Sequence, residues 1–296
     1  MSDGIDANAA LPVSCNLCGG MSCEVYDEAE PPFRVLRCRA CTLTFVHPHP
    51  VREQLAAHYD QDYYREWLSG QAARRARIWR RRMNRIERLK PAGRMLDVGC
   101  GEGTFLELAR GRGWRIEGTE ISRYAADRVS ARLGCPVFCG DLGDAGYPDN
   151  HFDVVTAWHV LEHMADPQKC LRDILHVLKP DGILILAVPN VNDRLMRIAY
   201  RIARRRKYRL FSTQDREVHL YHFSERTIRD SLERAGYDII RLAPDYGIVD
   251  LSKRVINGLS VIPHYLGGPA LFNAFEVLAA PRIARGGARK RDGVSR

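Results

Sequence analysis

Cys15, Cys18, Cys38 and Cys41 form two C-x2-C pairs, "CNLC" and "CRAC", with nineteen residues between them. Each pair can sit on one tight turn, so the spacing suits a tetrahedral four-thiolate zinc. Four protein ligands leave no open coordination position, which makes the expected role structural. Apolar filling is the expected role of Cys100, Cys135, Cys139 and Cys170, and Cys23 stays outside the ligand set.

A second chemistry-bearing stretch is "RMLDVGCGEGTF", Arg94 to Phe105. Gly99, Gly101 and Gly103 read G-x-G-x-G, and Thr104 stands where a dinucleotide loop would carry its third glycine. Bare backbone at a strand tip lets a ligand approach closely. Asp97 adds a carboxylate there, which repels a pyrophosphate but pairs with an amine. Glu120, in "EGTEIS" at the end of the next strand, is placed to accept both hydroxyls of a ribose. Asp141, in "GDL", follows the third strand and can read an adenine amino group. A ribose, an adenine and a cationic amino-acid tail together describe S-adenosylmethionine.

The elements that must hold these groups follow from periodicity. "MLDVG", "RIEGTEIS", "PVFCGDL" and "GILILAVPN" read as strands, and "FDVVTAWHVLEH" as a strand running into a loop. "TFLELARGR", "RYAADRVSARL" and "CLRDILHVLK" read as the helices among them. Continuous apolar strands alternating with helices specify an α/β, Rossmann-like, doubly wound and mostly parallel sheet. Ahead of it, Ala72, Ala76, Trp79, Met83, Ile86 and Leu89 recur at helical steps and predict an amphipathic helix ended by Pro91 and Gly93. After it, Leu195, Ile198, Ala199 and Ile202 form an apolar stripe before "RIARRRKYR", the pattern of an interfacial helix. Ser224 and Thr227 cap a helix over "SERTIRDSLERAG", and "YDIIRLAPDYG" reads as a further strand. The predicted division is a zinc ribbon over 1–50, and a linker with the amphipathic helix over 51–93. A cofactor-binding domain over 94–247 with a basic insertion at 191–218 follows, and then a mainly helical extension with a basic tail over 248–296. In that extension no closing strand is evident; either "GIVDL" pairs at the sheet or helices cover its edge.

With 296 residues, 45% apolar and 27% charged, the chain is an ordinary globular composition with room for one large core. It has no run of eighteen uncharged apolar residues, and "MSDGIDANAALPVSC" places acids where a signal peptide needs basic and then apolar residues. Export is therefore not expected, and the nine cysteines point to a reducing compartment. The net charge of +9 is concentrated in arginine runs that suit RNA, anionic lipid headgroups or a pyrophosphate-bearing substrate.

With "LDVGCGEG", "GTEIS", "GDL", "FDVVTAWHVLEHMADP" and "LKPDGILILAVPN" all in order, the chain resembles the class I S-adenosylmethionine-dependent methyltransferases from about Arg94 to Gly236. That resemblance implies that Asp97, Gly99, Gly101 and Gly103 surround the methionine moiety. Glu120 would hold the ribose, and Asp141 with Leu142 would flank the adenine. The ribbon, "CRACTLTFVHPHP" and "YDQDYY" resemble zinc-ribbon methyltransferases of sugar, polysaccharide and natural-product biosynthesis more than zinc-bearing ribosomal RNA methyltransferases.

In that frame "WHVLEHMADP" lies beside the sulfonium, so His159, Glu162 and His163 are candidates for a base or for metal ligands. Their spacing resembles the E-x-x-E-H site of the ubiquinone-biosynthesis O-methyltransferases, with His159 in place of the first acid, a change that disfavours magnesium. His222, near His219 in "EVHLYHFS", is a second candidate base. Tyr63 and Tyr64 could close over the cofactor or simply pack. The implied activity is O-methylation of a small-molecule, sugar, lipid-linked or natural-product acceptor. The insertion at 191–211 is a candidate contact with an anionic membrane, placing the protein in the cytoplasm or on the inner face of the membrane. RNA methylation is the alternative favoured by charge, although no N-P-P-Y-like tetrapeptide for a flipped base is present. A second alternative is C- or N-methylation of a nucleotide sugar, and a non-catalytic module disagrees with the intact Asp97 and Glu120.

Overall fold

A computed structural model describes residues 11–51, 64, 72–205, 208–215, 217–247 and 251–282. Tyr63, most of "YDQDYY", Arg206, Ile248 to Asp250 and the basic tail from 283 lie outside the described residues.

The chain begins with three antiparallel strands, β1 (Cys23–Asp27), β2 (Arg34–Cys38) and β3 (Thr44–His47). Helix α1 (Ala72–Leu89) leads into β4 (Arg94–Val98), α2 (Thr104–Gly111), β5 (Arg115–Glu120), α3 (Arg123–Leu133) and β6 (Val137–Cys139). The second half runs through β7 (Phe152–Trp158), α4 (Pro167–Val177), β8 (Leu178–Pro189), α5 (Arg194–Arg204), β9 (Tyr221–His222), α6 (Glu225–Arg234), β10 (Tyr237–Pro244), α7 (Leu251–Tyr265) and β11 (Ala274–Pro281).

The main sheet has seven strands in the order β10-β11-β8-β7-β4-β5-β6. β8, β7, β4, β5 and β6 are parallel neighbours, and β11 alone runs antiparallel, between β8 and β10. This is the doubly wound, mostly parallel sheet predicted from the strand and helix rhythm. Its central strands are buried on both faces: Ile183 to Val188 of β8 are all at most 6% exposed. Local signals set the helix starts. The Asp166 carboxylate accepts the Lys169 N–H at 2.8 Å with Pro167 in the first turn, and Ser224 with Thr227 forms a reciprocal capping box.

The extension after 247 differs from its helical reading. Leu251 begins α7, not a strand, but "AFEVLAAP" further on forms β11, so the sheet continues to Pro281 and the boundary at 247 does not separate a domain. Because β11 has a neighbour on each side and is buried on both faces, its residues lack the alternation that marks an edge strand. Its three alanines also read as helix formers.

On α1, Met83 and Ile86 are fully buried against Met95, Phe105 and Ile185 as the periodicity requires, but Arg82 also lies inward and Leu89 is exposed. The ribbon is not a separate unit. β9, from the far end of the insertion, pairs with β3 as a fourth strand, and the ribbon's buried residues are continuous with those of the main core.

Candidate active site

Parallel strands deliver their carboxyl ends to one edge of the sheet, where a cleft of about 1270 Å³ opens. One half is built from the glycine loop and the ends of β4 to β6. Asp97 sits near the end of β4, and its Oδ1 accepts the hydroxyl of Thr156, its neighbour on β7, at 2.6 Å. Burial pushes the Asp97 carboxyl up to about 7, with the Thr156 bond opposing the rise. Glu120 ends β5 and is buried. Its Oε2 accepts the Gly101 N–H at 2.9 Å, and its Oε1 accepts the Ser122 N–H at 2.9 Å and the Tyr64 hydroxyl at 3.2 Å. Burial raises the Glu120 pKa, and these donors work against it. Asp141 and Leu142 follow β6 on the same wall, Asp141 half-buried and Leu142 buried.

The glycines do not play one role. Gly99 and Gly101 line the cleft, whereas Gly103 is not among the lining residues. Gly101 has φ +55, and an added Cβ would meet only the Tyr64 ring, at 3.7 Å. Gly103 has φ +74, and its Cβ would stand 2.6 Å from Val129 on α3. The first opening serves the cleft; the second lets α2 pack against α3.

The other half of the cleft carries the histidines. His159 has a left-handed backbone, φ +58, and lies between two acids: Nε2 is 3.3 Å from Asp245 Oδ2, and Nδ1 is 3.4 Å from Glu162 Oε1. Burial opposes its charge, but the two carboxylates outweigh burial and lift its pKa to about 9. Asp245 in turn takes both oxygens to Arg82 Nη2, at 2.9 Å each. Burial works against that carboxylate, yet Arg82 and His159 hold it well below the usual range. The Arg82 guanidinium lies 4.9 Å from the ring centre of Trp79 and 4.0 Å from that of Trp158. Glu162 is fully buried, and among the described residues neither of its oxygens accepts a hydrogen bond.

His163 faces a different partner. Its Nδ1 is 2.8 Å from the Val218 carbonyl oxygen; that oxygen can only accept, so Nδ1 carries the proton and Nε2 of the neutral ring has the lone pair. The His219 ring is 4.8 Å from that of His163 and 6.3 Å from that of His222. Burial drives the pKa of His219 well down and that of His222 to about 3. Donor atoms of Glu162, His163 and His219 lie within 4.8 Å of one another.

Sequence reasoning missed Arg82, Asp245 and Thr156. Arg82 had a usable signal, since it shares the buried face of α1 with Trp79, Met83 and Ile86. Asp245 directly follows β10, at the sheet edge where ligand-facing residues collect.

Outside the cleft, all four cysteine Sγ atoms of the ribbon lie within 4.8 Å of one another, with Cys15 to Cys41 at 3.5 Å and Cys18 to Cys38 at 3.6 Å. A tetrahedron with metal–sulfur bonds of ~2.3 Å has sulfur–sulfur edges of ~3.8 Å, so the cluster fits a zinc ion. The Cys23 thiol donates to the Val13 carbonyl instead, in keeping with its exclusion from the ligand set.

Comparison with known proteins gives a consistent picture. A family model described as a methyltransferase domain matches residues 71–242. The chain is 30% identical over 150 residues to the Mycolicibacterium smegmatis protein named "Probable S-adenosylmethionine-dependent methyltransferase", a match covering 50% of this chain and 53% of that one. It is 29% identical over 103 residues to the ubiquinone biosynthesis O-methyltransferase of Coxiella burnetii, covering 33% of this chain and 44% of the relative. The chain thus spans about half, or less, of the length of these curated relatives. Among solved structures, the PH0226 protein of Pyrococcus horikoshii matches with a TM-score of 0.54 at 16% identity, over 75% of this chain and 100% of that one, a likeness of fold.

Proposed function

The chain belongs to the S-adenosylmethionine-dependent methyltransferases of the class I fold, and from that premise we propose that it methylates a hydroxyl oxygen of a small-molecule or lipid-linked acceptor. The observation that carries the acceptor chemistry is His163. The Val218 carbonyl accepts from Nδ1 at 2.8 Å, which makes Nε2 the basic nitrogen of the neutral ring, and His163 lines the cleft. Bound in the other half, S-adenosylmethionine supplies an electrophilic methyl group on sulfur. Asp97 would pair with its amine, Glu120 would accept the ribose hydroxyls, and Asp141 with Leu142 would flank the adenine. Gly101 would give the methionine portion room, while Gly99, whose added Cβ would stand 2.7 Å from Val160, and Gly103 serve the packing around it.

With S-adenosylmethionine bound, His163 Nε2 would accept the proton of the acceptor hydroxyl as that oxygen takes the methyl group. His159 is a poor base here, because the acids on both sides keep it protonated at neutral pH. It acts as a positioning cation for Glu162. His222, pushed to about 3, is too weak a base to accept that proton efficiently.

Cys15, Cys18, Cys38 and Cys41 hold a structural zinc in this reading, with no part in the methyl transfer. Helix α5 supports a peripheral contact with an anionic membrane on the cytoplasmic side. It buries no residue, exposes Ile198 (54%) and Ile202 (74%), and carries Arg201 and Arg204 beside them. Among the described residues no helix is long and apolar enough to cross a membrane.

The test is transfer of radiolabel from S-adenosylmethionine by the zinc-replete protein, offered cell lipid and small-molecule extract in one arm and total RNA in the other. Base-stable label in the organic or small-molecule fraction is expected; label in RNA alone overturns the acceptor class. Flotation with anionic liposomes, lost in the Arg201→Glu, Arg204→Glu double variant, checks the membrane contact, and flotation unchanged by that variant removes it.

A further inference from the structure

Resting on the acceptor cleft and the structural zinc proposed above, we infer that the N-terminal ribbon positions the acceptor wall of the cleft, with Asp27, Glu30 and β3 as the positioning groups. The wall residues Val218, His219 and His222 come from the segment that closes the insertion, and that segment is fastened to the ribbon at both ends. At its start, Leu210 donates its N–H to Asp27 Oδ2 at 3.1 Å. The Ser212 hydroxyl donates to Glu30 Oε1 at 2.6 Å, and Thr213 donates its N–H (3.1 Å) and hydroxyl (2.8 Å) to Glu30 Oε2. Phe33 packs on Phe211 with ring centres 5.2 Å apart. At its end, β9 pairs with β3 through Phe45 to Tyr221 and Thr44 to His222, and Val46 donates its N–H to the Leu220 carbonyl at 2.8 Å.

β9 has only two residues, and its strand partner is β3. Such a short pairing is not stable alone; it depends on a formed ribbon sheet. That sheet depends in turn on its cysteine turns, because Cys38 closes β2 and Cys41 precedes β3, so a metal held by the cluster would fix the turn between the two strands. The order of the ribbon therefore reaches His163 in three steps. The cysteine cluster orders β3, β3 holds Leu220 to His222, and the same segment carries the Val218 carbonyl that sets the His163 tautomer.

The main domain grips the segment as well, since Leu220 donates its N–H to the Glu162 carbonyl at 2.7 Å and the Tyr221 hydroxyl donates to the Ala165 carbonyl at 3.2 Å. The wall is therefore clamped between two bodies, and loosening the ribbon releases one jaw. The cofactor half, built on the ends of β4 to β6, is attached elsewhere. Ribbon damage should thus separate the two halves of the cleft, changing the histidine wall while sparing S-adenosylmethionine binding.

The full-length zinc-loaded protein would be compared with its Glu30→Ala variant and with protein stripped by a chelator. Three quantities are read: hydrogen exchange over 208–223, the nitrogen-15 signature of the His163 tautomer, and the Kd for S-adenosylmethionine. Glu30→Ala is expected to speed exchange of the Thr213 amide, whose N–H Glu30 accepts, by about tenfold, the scale of one lost hydrogen bond. Chelation is expected to extend that increase to 217–223 and to mix the His163 tautomers, with the Kd changed by less than about twofold. Unchanged exchange over 217–223 after zinc removal overturns the inference, and so does a Kd that weakens in step with the wall, since that reports general unfolding. If stripped protein precipitates, unchanged exchange in Glu30→Ala overturns it alone. None of these readouts needs an acceptor, so an error in the proposed acceptor class leaves the test intact.

Discussion

Two alanine substitutions, Gly101→Ala and Gly103→Ala, should separate cofactor binding from folding within one loop. Both glycines have left-handed backbones, at φ +55 and +74. An alanine in that region costs roughly 1–2 kcal/mol at either site. At Gly103 the new methyl would also lie 2.6 Å and 3.0 Å from the two γ-carbons of Val129, which is 1% exposed and has no room to withdraw. Overpacking of that kind adds about 1–3 kcal/mol, for a sum of about 2–5 kcal/mol. In a domain of this size 1 kcal/mol moves Tm by about 2–4 °C, so Gly103→Ala should melt roughly 5–15 °C lower and Gly101→Ala only a few degrees lower. At Gly101 the methyl meets one Tyr64 carbon at 3.7 Å, an ordinary contact, and otherwise stands at the cleft. It should weaken S-adenosylmethionine binding by more than about tenfold, or about 1.4 kcal/mol. Calorimetric melting and titration calorimetry on both variants read the two effects. Equal melting temperatures for the two variants, or wild-type affinity in Gly101→Ala, would refute the division of labour.

Three further outcomes follow from the site. Asp97, raised to about 7, is neutral below that pH and charged above it, so affinity for the cationic cofactor should rise by roughly eightfold from pH 6 to 7.5 and be flat in Asp97→Asn; a sloping Asn profile would remove Asp97 from that role. With the acceptor identified by label transfer, His163→Gln should lower kcat by about a hundredfold or more and His222→Gln by less than about tenfold; the reverse order would move the base to His222. Asp245→Asn leaves the Arg82 and His159 cations without their shared counter-charge, and urea unfolding should show a loss of about 3–5 kcal/mol. A loss below about 1 kcal/mol would show that solvent already screens the pair.

Much of the fold was legible because its signals are local. β4 to β8 are apolar runs of strand length between helical patterns, and Ser224 with Thr227 announces a helix start within three residues. β11 was not legible: a strand buried on both faces by its position between β8 and β10 has no alternation to betray it. The insertion showed the opposite limit. Its amphipathic helix was readable from Leu195, Ile198 and Ile202, but no local feature of "LYHF" says that Tyr221 and His222 pair with a ribbon strand formed far earlier in the chain.

Within the site, residue type and spacing by themselves determined the cysteine cluster, the bare glycine loop and the acids at the ends of β4 and β5, because each depends on neighbours in sequence or on the regular rise of a parallel sheet. The tertiary structure decided everything that depends on charge balance between distant elements. His159, His163 and His222 look alike in sequence, but Asp245 and Glu162 keep His159 a cation, Val218 orients His163, and burial leaves His222 neutral. A histidine's protonation is set by the groups that surround it in space, and those surroundings exist only once α1, the end of β10, the insertion and the ribbon have met.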